Sequence, residues 1–149
     1  MFRSTKHFSG YSCCFRQWKA THSHCRFLHG YGLSFRVEFE GERDERGWVC
    51  DFGCFSRNGI KKRLSELFDH TTIIAADDPA LSFFEEMGRK GLVQLRIVDS
   101  VGAENFAKLV YDEINRLLLA DDMHAQRVSA VLVECFENET NSAVYSRSR

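Results

Sequence analysis

The sequence predicts an α+β fold built on an antiparallel sheet. The observations behind this are one run that alternates strictly, two runs with helical periodicity, and the order strands, helix, helix, strand. In "LSFRVEFEGE", Leu33, Phe35, Val37 and Phe39 alternate with Ser34, Arg36, Glu38 and Glu40. That period of two describes a strand with one buried and one wet face.

Taken in order, "GYSCCFRQW" reads as a strand, followed by a polar loop through "KATHSH". After the alternating strand, "GERDERG" is a polar turn and "WVCDF" a returning strand, which makes an antiparallel hairpin. A helix follows over "SRNGIKKRLSELF", where Ile60, Leu64 and Leu67 share a face and Gly59 weakens the first turn. "DPALSFFEEMGRKG" predicts a short helix capped by Asp78, with Pro79 at its first position and Gly91 at its end. "LVQLRIV" reads as a strand. "AENFAKLVYDEINRLLLA" is the second long helix, with Phe106, Val110, Ile114 and Leu117 on one stripe. "RVSAVLVECFE" closes the chain as a strand and "NSAVY" extends the sheet edge.

A chain of 149 residues fits one domain, 1–149, with a real core. Its 20 basic and 21 acidic residues exclude a strong polyanion-binding field, so nucleic acid is not an expected partner. No run of about 18 apolar residues suggests a membrane span. "MFRSTKHFSGYS" lacks the apolar core of a signal peptide, so the expected location is cytoplasmic, with the six cysteines reduced. Cys50 and Cys54 have C-x3-C spacing but no matching second pair, which argues against a structural zinc site. Neighbouring Cys13 and Cys14 are poorly placed to share a metal or a strain-free disulfide.

The stretch "CRFLHGYG" places Cys25, His29 and Tyr31 at the mouth of the alternating strand. By residue type alone these are a nucleophile with its partner, a pair of metal ligands, or core residues.

Several stretches resemble, in order, the family of 6-pyruvoyltetrahydropterin synthase and 6-carboxytetrahydropterin synthase. They are "CRFLHGY", "GERDERGWVCDF", "LFDHTTI", "VGAENFAKLVYDEI" and "VECFENETNSAVY", which together cover nearly the whole chain. The resemblance implies a tunnelling fold, with a four-stranded antiparallel sheet and two helices on one face. It implies subunits joined edge to edge into trimeric barrels, a homo-hexamer as a dimer of trimers, and active sites between subunits. It further implies lyase chemistry on 7,8-dihydroneopterin triphosphate with zinc as cofactor. On the bacterial branch the product is 6-carboxytetrahydropterin, on the route to queuosine and other deazapurines. The alternative is a non-catalytic or metal-free pterin- or purine-binding protein of the same fold.

The same resemblance assigns residues. Cys25 matches the catalytic thiol, a general base once its proton is lost. Asp69 and His70 match the Asp-His pair that works with it, the carboxylate setting the imidazole's tautomer. Glu137 matches the glutamate that accepts two parallel N–H bonds from the pterin ring, with Glu134 as the rival by a different count. Glu104 and Asn105 begin the second long helix, where they suit its capping and dipole.

The zinc site departs from the pattern. The family uses three histidines; here His29 remains, Tyr31 stands at the second position and Phe15 at the first-strand position. Three outcomes stay open. Zinc is kept with a substitute ligand, His24 first and His22 or Cys14 after it; zinc is lost and Tyr31 supplies a hydroxyl; or the chain binds a pterin without catalysis. Val101-Gly102 also replaces the family's Pro-Thr before the second long helix.

Overall fold

The sheet is built around a hairpin of the two longest strands. β1 (Phe2–Phe15) pairs antiparallel with β2 (His29–Gly41), from Phe2↔Gly41 to Phe15↔His29. This computed structural model describes residues 1–147; the last two positions of the expected 1–149 domain lie outside the described residues. The chain continues through α1 (Cys54–Arg57), α2 (Ile60–Phe68), β3 (Thr71–Ala75), α3 (Leu81–Arg89), β4 (Leu95–Val98), α4 (Ala103–Leu119), β5 (Val128–Phe136) and β6 (Ser142–Ser146). The strand order is β4-β3-β1-β2-β5-β6.

The sheet is therefore six-stranded and mixed, where a four-stranded antiparallel one was expected. β3 runs parallel to β1 and β4 parallel to β3, with α3 as the crossover that a parallel step needs. β3 is buried at every position, so "TTIIA" shows no alternation to mark it as a strand. Four helices lie among the described residues where the resemblance implied two; α3 is the short helix expected over "DPALSFFEEMGRKG", and α1, α2 and α4 place buried residues in the core.

"WVCDF" is not a returning strand. Both edges of β2 are already taken, by β1 on one side and β5 on the other. The segment is held instead by Arg127, whose guanidinium donates to the carbonyls of Glu42 at 2.6 Å and Val49 at 2.9 Å. The polar turn before it is as expected: the Asp44 carboxylate accepts from the backbone N–H groups of Arg46 and Trp48, both at 2.9 Å. Asp78 does not cap α3. Its buried carboxylate is clasped by Arg16 at 2.6 and 2.8 Å, and the helix starts later, at Leu81.

The core is dominated by aromatic rings. Phe68 lies 4.8 Å from Phe35 and 5.5 Å from Phe106 between ring centroids, and Phe106 meets Phe15 edge-on at 4.9 Å. Among the described residues no helix is long and apolar enough to cross a membrane.

β1 carries a bulge. Phe8 pairs with Phe35 and Tyr11 with Leu33, so β1 holds one residue more than β2 in that interval, and Gly10 sits there at φ 87°. The insertion switches the buried face from Phe8 to the odd-numbered Tyr11, Cys13 and Phe15. A Cβ at position 10 would meet nothing within 4 Å, so the cost of a side chain there is conformational. Gly10→Ala is expected to lower the unfolding free energy by about 1–2 kcal/mol in urea denaturation. Unchanged or increased stability would contradict the left-handed bulge.

Candidate active site

The site residues gather where β1 ends and β2 begins. The register Phe15↔His29 and Cys13↔Tyr31 puts these four side chains on one face, continuing the buried stripe of Leu33 and Phe35. Phe15 is fully buried, Tyr31 half-buried and His29 exposed, so the stripe climbs from core to surface. Tyr31 stacks on Phe15 with centroids 3.9 Å apart and 11° between planes, and His29 stacks on Tyr31 at 4.2 Å.

The hydrogen bonds fix the roles of the imidazole nitrogens. His29 Nδ1 faces the Gly30 carbonyl at 3.3 Å, which only accepts, so Nδ1 carries the proton. Nε2 is then the acceptor, and the Tyr31 hydroxyl donates to it at 2.8 Å. That hydroxyl keeps its proton: burial first, then the charges of Glu137, Cys25 and Cys13, push its pKa up to about 12.

Cys25 and His24 lie in the 3-10 turn His24–Arg26 between the strands, both exposed. Ser23 Oγ accepts from the Cys25 backbone N–H at 3.2 Å, and Gln17 N–H donates to the Cys25 carbonyl at 2.8 Å. Cys25 is the exposed cysteine of the six, all of them free. Burial pushes the Cys13 and Cys50 thiols up to about 12, leaving them unreactive beside it.

Glu137 follows β5 at the same end of the sheet, its N–H donating to the Asn141 carbonyl at 3.0 Å. Burial raises its pKa, the charge of Glu104 in the first turn of α4 adds to this, and His29 opposes it. Glu137, Glu104, His29, Tyr31 and Cys25 thus share one electrostatic neighbourhood. Glu134 does not share it: it accepts from Ser142 Oγ at 2.7 Å and lies 3.8 Å from Arg36. Gly102, the residue before α4, is held at φ 113°, a conformation that favours glycine. The Asn105 amide turns back to the Val101 carbonyl at 3.0 Å.

Asp69 and His70 sit on the other side of β1. Asp69 ends α2, and its carboxylate accepts from the Ser12 N–H at 3.3 Å and lies 3.1 Å from His70 Nδ1. His70 is held at φ 56° by its own N–H bond to the Ser12 carbonyl, at 2.6 Å. Within the chain no hydrogen bond or ion pair among the described residues joins this pair to Cys25.

A three-histidine zinc site does not fit these residues. Phe15 is buried in the core, Tyr31 offers a protonated hydroxyl, and that hydroxyl occupies the lone pair of His29 Nε2. Among the described residues, His24 and His29 belong to no group of at least three potential ligands with donor atoms within 4.8 Å. The group that does meet this distance is Cys54, Asp121 and His124, which lies elsewhere in the fold. The C-x3-C spacing drew attention to Cys54, but its partners come from a connection 70 residues away, and no local pattern announces them.

Comparison with known proteins adds the following. Residues 4–148 match the family model described as 6-pyruvoyl tetrahydropterin synthase. A 6-carboxy-5,6,7,8-tetrahydropterin synthase from Rickettsia felis is 31% identical over 96 residues, a match that spans 60% of this chain and 64% of that protein. An uncharacterized protein from Wolinella succinogenes superposes with a TM-score of 0.80 at 19% identity, covering 99% of this chain and 98% of the other. The 6-pyruvoyl tetrahydropterin synthase of Caenorhabditis elegans gives a TM-score of 0.63 at 18% identity, covering 99% and 98%. These superpositions identify the tunnelling fold.

The Tyr31–His29 bond has a direct test. Tyr31→Phe removes the donor to Nε2, and the 15N histidine spectrum is expected to show a shifted His29 Nε2 resonance while the other histidines stay in place. An unchanged His29 resonance would contradict the arrangement.

Proposed function

Because the chain belongs to the 6-pyruvoyl tetrahydropterin synthase family, we propose that it is a pterin-processing lyase acting on 7,8-dihydroneopterin triphosphate. The finer reading is a 6-carboxytetrahydropterin synthase-like reaction on the queuosine and deazapurine route. The observation that carries the proposal is the gathering of Cys25, His29, Tyr31 and Glu137 at one end of the sheet.

Each residue has a role its chemistry suits. The Glu137 carboxylate accepts the paired N–H groups of the pterin ring, giving orientation as well as affinity. Burial and the Glu104 charge raise its pKa, and the donors of a ring edge would favour its charged form. Cys25, exposed on its turn, takes a proton from the substrate side chain as general base. Tyr31 holds His29 in one tautomer, so the imidazole presents Nδ1–H and a fixed ring plane. Zinc in the family polarises side-chain oxygens, and the residues here do not fit that site.

Asp69 and His70 enter the same proposal from a neighbouring subunit of a homo-hexamer, a dimer of trimers. Two features support this. His70 is exposed and Asp69 half-buried, no hydrogen bond or ion pair among the described residues joins them to Cys25, and the outermost strands β4 and β6 each carry a half-exposed apolar residue, Ile97 at 51% and Val144 at 52%.

A second reading, a protein that binds pterins without turnover, is favoured by one observation: among the described residues no side-chain base is hydrogen-bonded to Cys25. The decisive experiment incubates purified protein with 7,8-dihydroneopterin triphosphate and follows triphosphate release and pterin products by mass spectrometry. Wild type is expected to consume the substrate and Cys25→Ala to lose at least ~100-fold in kcat, the scale of a general base. No consumption, while a family enzyme works in parallel, overturns the lyase; ligand binding retained in that case establishes the second reading.

A further inference from the structure

A second cluster of chemically able side chains lies at the other end of the sheet. Gly41, the last residue of β2, pairs with Val128, and the Val128 N–H donates to the His124 carbonyl at 3.0 Å. His29, the first residue of β2, is thus roughly 40 Å away at the usual rise per strand residue. Here Cys54 opens α1, while Asp121 and His124 belong to the connection between α4 and β5.

The geometry is specific. His124 Nε2 lies 3.9 Å from Cys54 Sγ, and His124 Nδ1 lies 2.8 Å from Asp121 Oδ2. The Asn58 side-chain amide reaches both Sγ, at 3.6 Å, and Oδ2, at 3.2 Å. Asp121 Oδ1 accepts the Met123 N–H at 3.1 Å. Cys54 is 2% and His124 1% exposed, and one donor atom from each of Cys54, Asp121 and His124 lies within 4.8 Å of the others. An open cavity of about 530 Å³ borders the cluster, lined in part by Cys54, Asn58, Asp121 and Met123.

We propose that Cys54, His124 and Asp121 form a metal site for a zinc-like divalent cation, separate from the candidate active site. The donor set is thiolate and imidazole with a supporting carboxylate, which suits Zn²⁺ and not the hard, oxygen-seeking Mg²⁺ or Ca²⁺. A zinc ion about 2.3 Å from sulfur and about 2.0–2.1 Å from nitrogen spans the 3.9 Å between Sγ and Nε2 at an angle of about 125–130°, wider than the tetrahedral angle. Asp121 on Nδ1 fixes the ring so that the Nε2 lone pair faces the thiol, the usual arrangement behind a metal-bound histidine. Asn58 supports both acidic partners in turn. The remaining coordination positions open toward the cavity.

The same order of thiol, imidazole and carboxylate also describes a nucleophile triad, and one observation favours the cation. The 3.9 Å between Sγ and Nε2 is long for a nucleophile hydrogen-bonded to its base and suits an ion held between them. As a ligand the sulfur must give up its thiol proton. A divalent cation displaces that proton: the S–H bond breaks, a sulfur–metal bond forms and one proton goes to solvent, with no redox change. The consequence is structural, since the cation ties α1 to the α4–β5 connection across 70 residues of sequence.

The test uses the untagged full chain, stripped with a chelator and titrated with Zn²⁺ or Co²⁺. Elemental mass spectrometry is expected to find close to one zinc per chain in wild type and in His29→Ala. Cys54→Ser and His124→Ala are expected to bind at least ~10-fold more weakly. The cobalt form of wild type should show a thiolate-to-cobalt charge-transfer band and a raised Tm, readouts that hold even if the buried variants fail to fold. Cobalt binding without that band, zinc lost with His29→Ala yet kept in Cys54→Ser, or no bound metal would each overturn the site. So would alkylation of Cys54 in the native metal-free protein as fast as that of Cys25, which would make it a nucleophile. None of these outcomes depends on pterin turnover.

Discussion

One extra residue in β1, between Phe8↔Phe35 and Tyr11↔Leu33, decides which way the rest of the strand faces. Side-chain direction alternates along a strand, so without the insertion either Phe8 or the set Tyr11, Cys13 and Phe15 would point to solvent. Gly10 absorbs the insertion because its left-handed φ of 87° has no steric cost without a Cβ. With the parity switched, Phe15 enters the core against Phe106, and Tyr31 stacks on it from across the hairpin. The bulge is therefore the link between the packing of the core and the placing of the site.

That chain of contacts also accounts for the aromatic residues that stand where the resemblance places histidines. A histidine at position 15 would have to sit among rings in a fully buried position, where Phe15 now serves as floor for Tyr31. Once the floor is aromatic, a second aromatic ring above it is well packed, and its hydroxyl is left to find a partner. His29 Nε2 is that partner. The ladder Phe15, Tyr31, His29 exchanges a coordination site for a packed one, and an acidic neighbourhood of Glu137 and Glu104 remains around it. The donor set suited to a soft cation lies at the opposite end of the hairpin, where Cys54 and His124 meet.

Much of this was legible in the sequence, and the reasons are particular. The alternation of Leu33 to Phe39 announced β2, and the helical stripe of Phe106, Val110 and Ile114 announced α4, because each buries one face only. β3 was not legible as a strand, since Thr71–Ala75 is buried on both faces and carries no alternation. The first half of β1 was missed because only Phe8 among its first nine residues is buried, so "FRSTKHFSG" reads as polar chain. "WVCDF" has strand composition but no edge to pair with, a fact of topology that no local pattern contains. At the site, Cys25, His29 and Glu137 carry a family resemblance in order, and Tyr31 is where the sequence departs from it. The Cys54–His124–Asp121 cluster joins residues 70 apart and only the fold brings them together.

The most direct measurement of the central claim is the affinity for 7,8-dihydroneopterin, by calorimetry, of wild type, Glu137→Gln and Glu134→Gln. The account predicts binding by wild type and by Glu134→Gln, and a loss of about 10–100-fold in Glu137→Gln, the worth of a hydrogen bond to a charged group. Loss of affinity in Glu134→Gln with none in Glu137→Gln, or no binding by wild type, would contradict a pterin site at this end of the sheet.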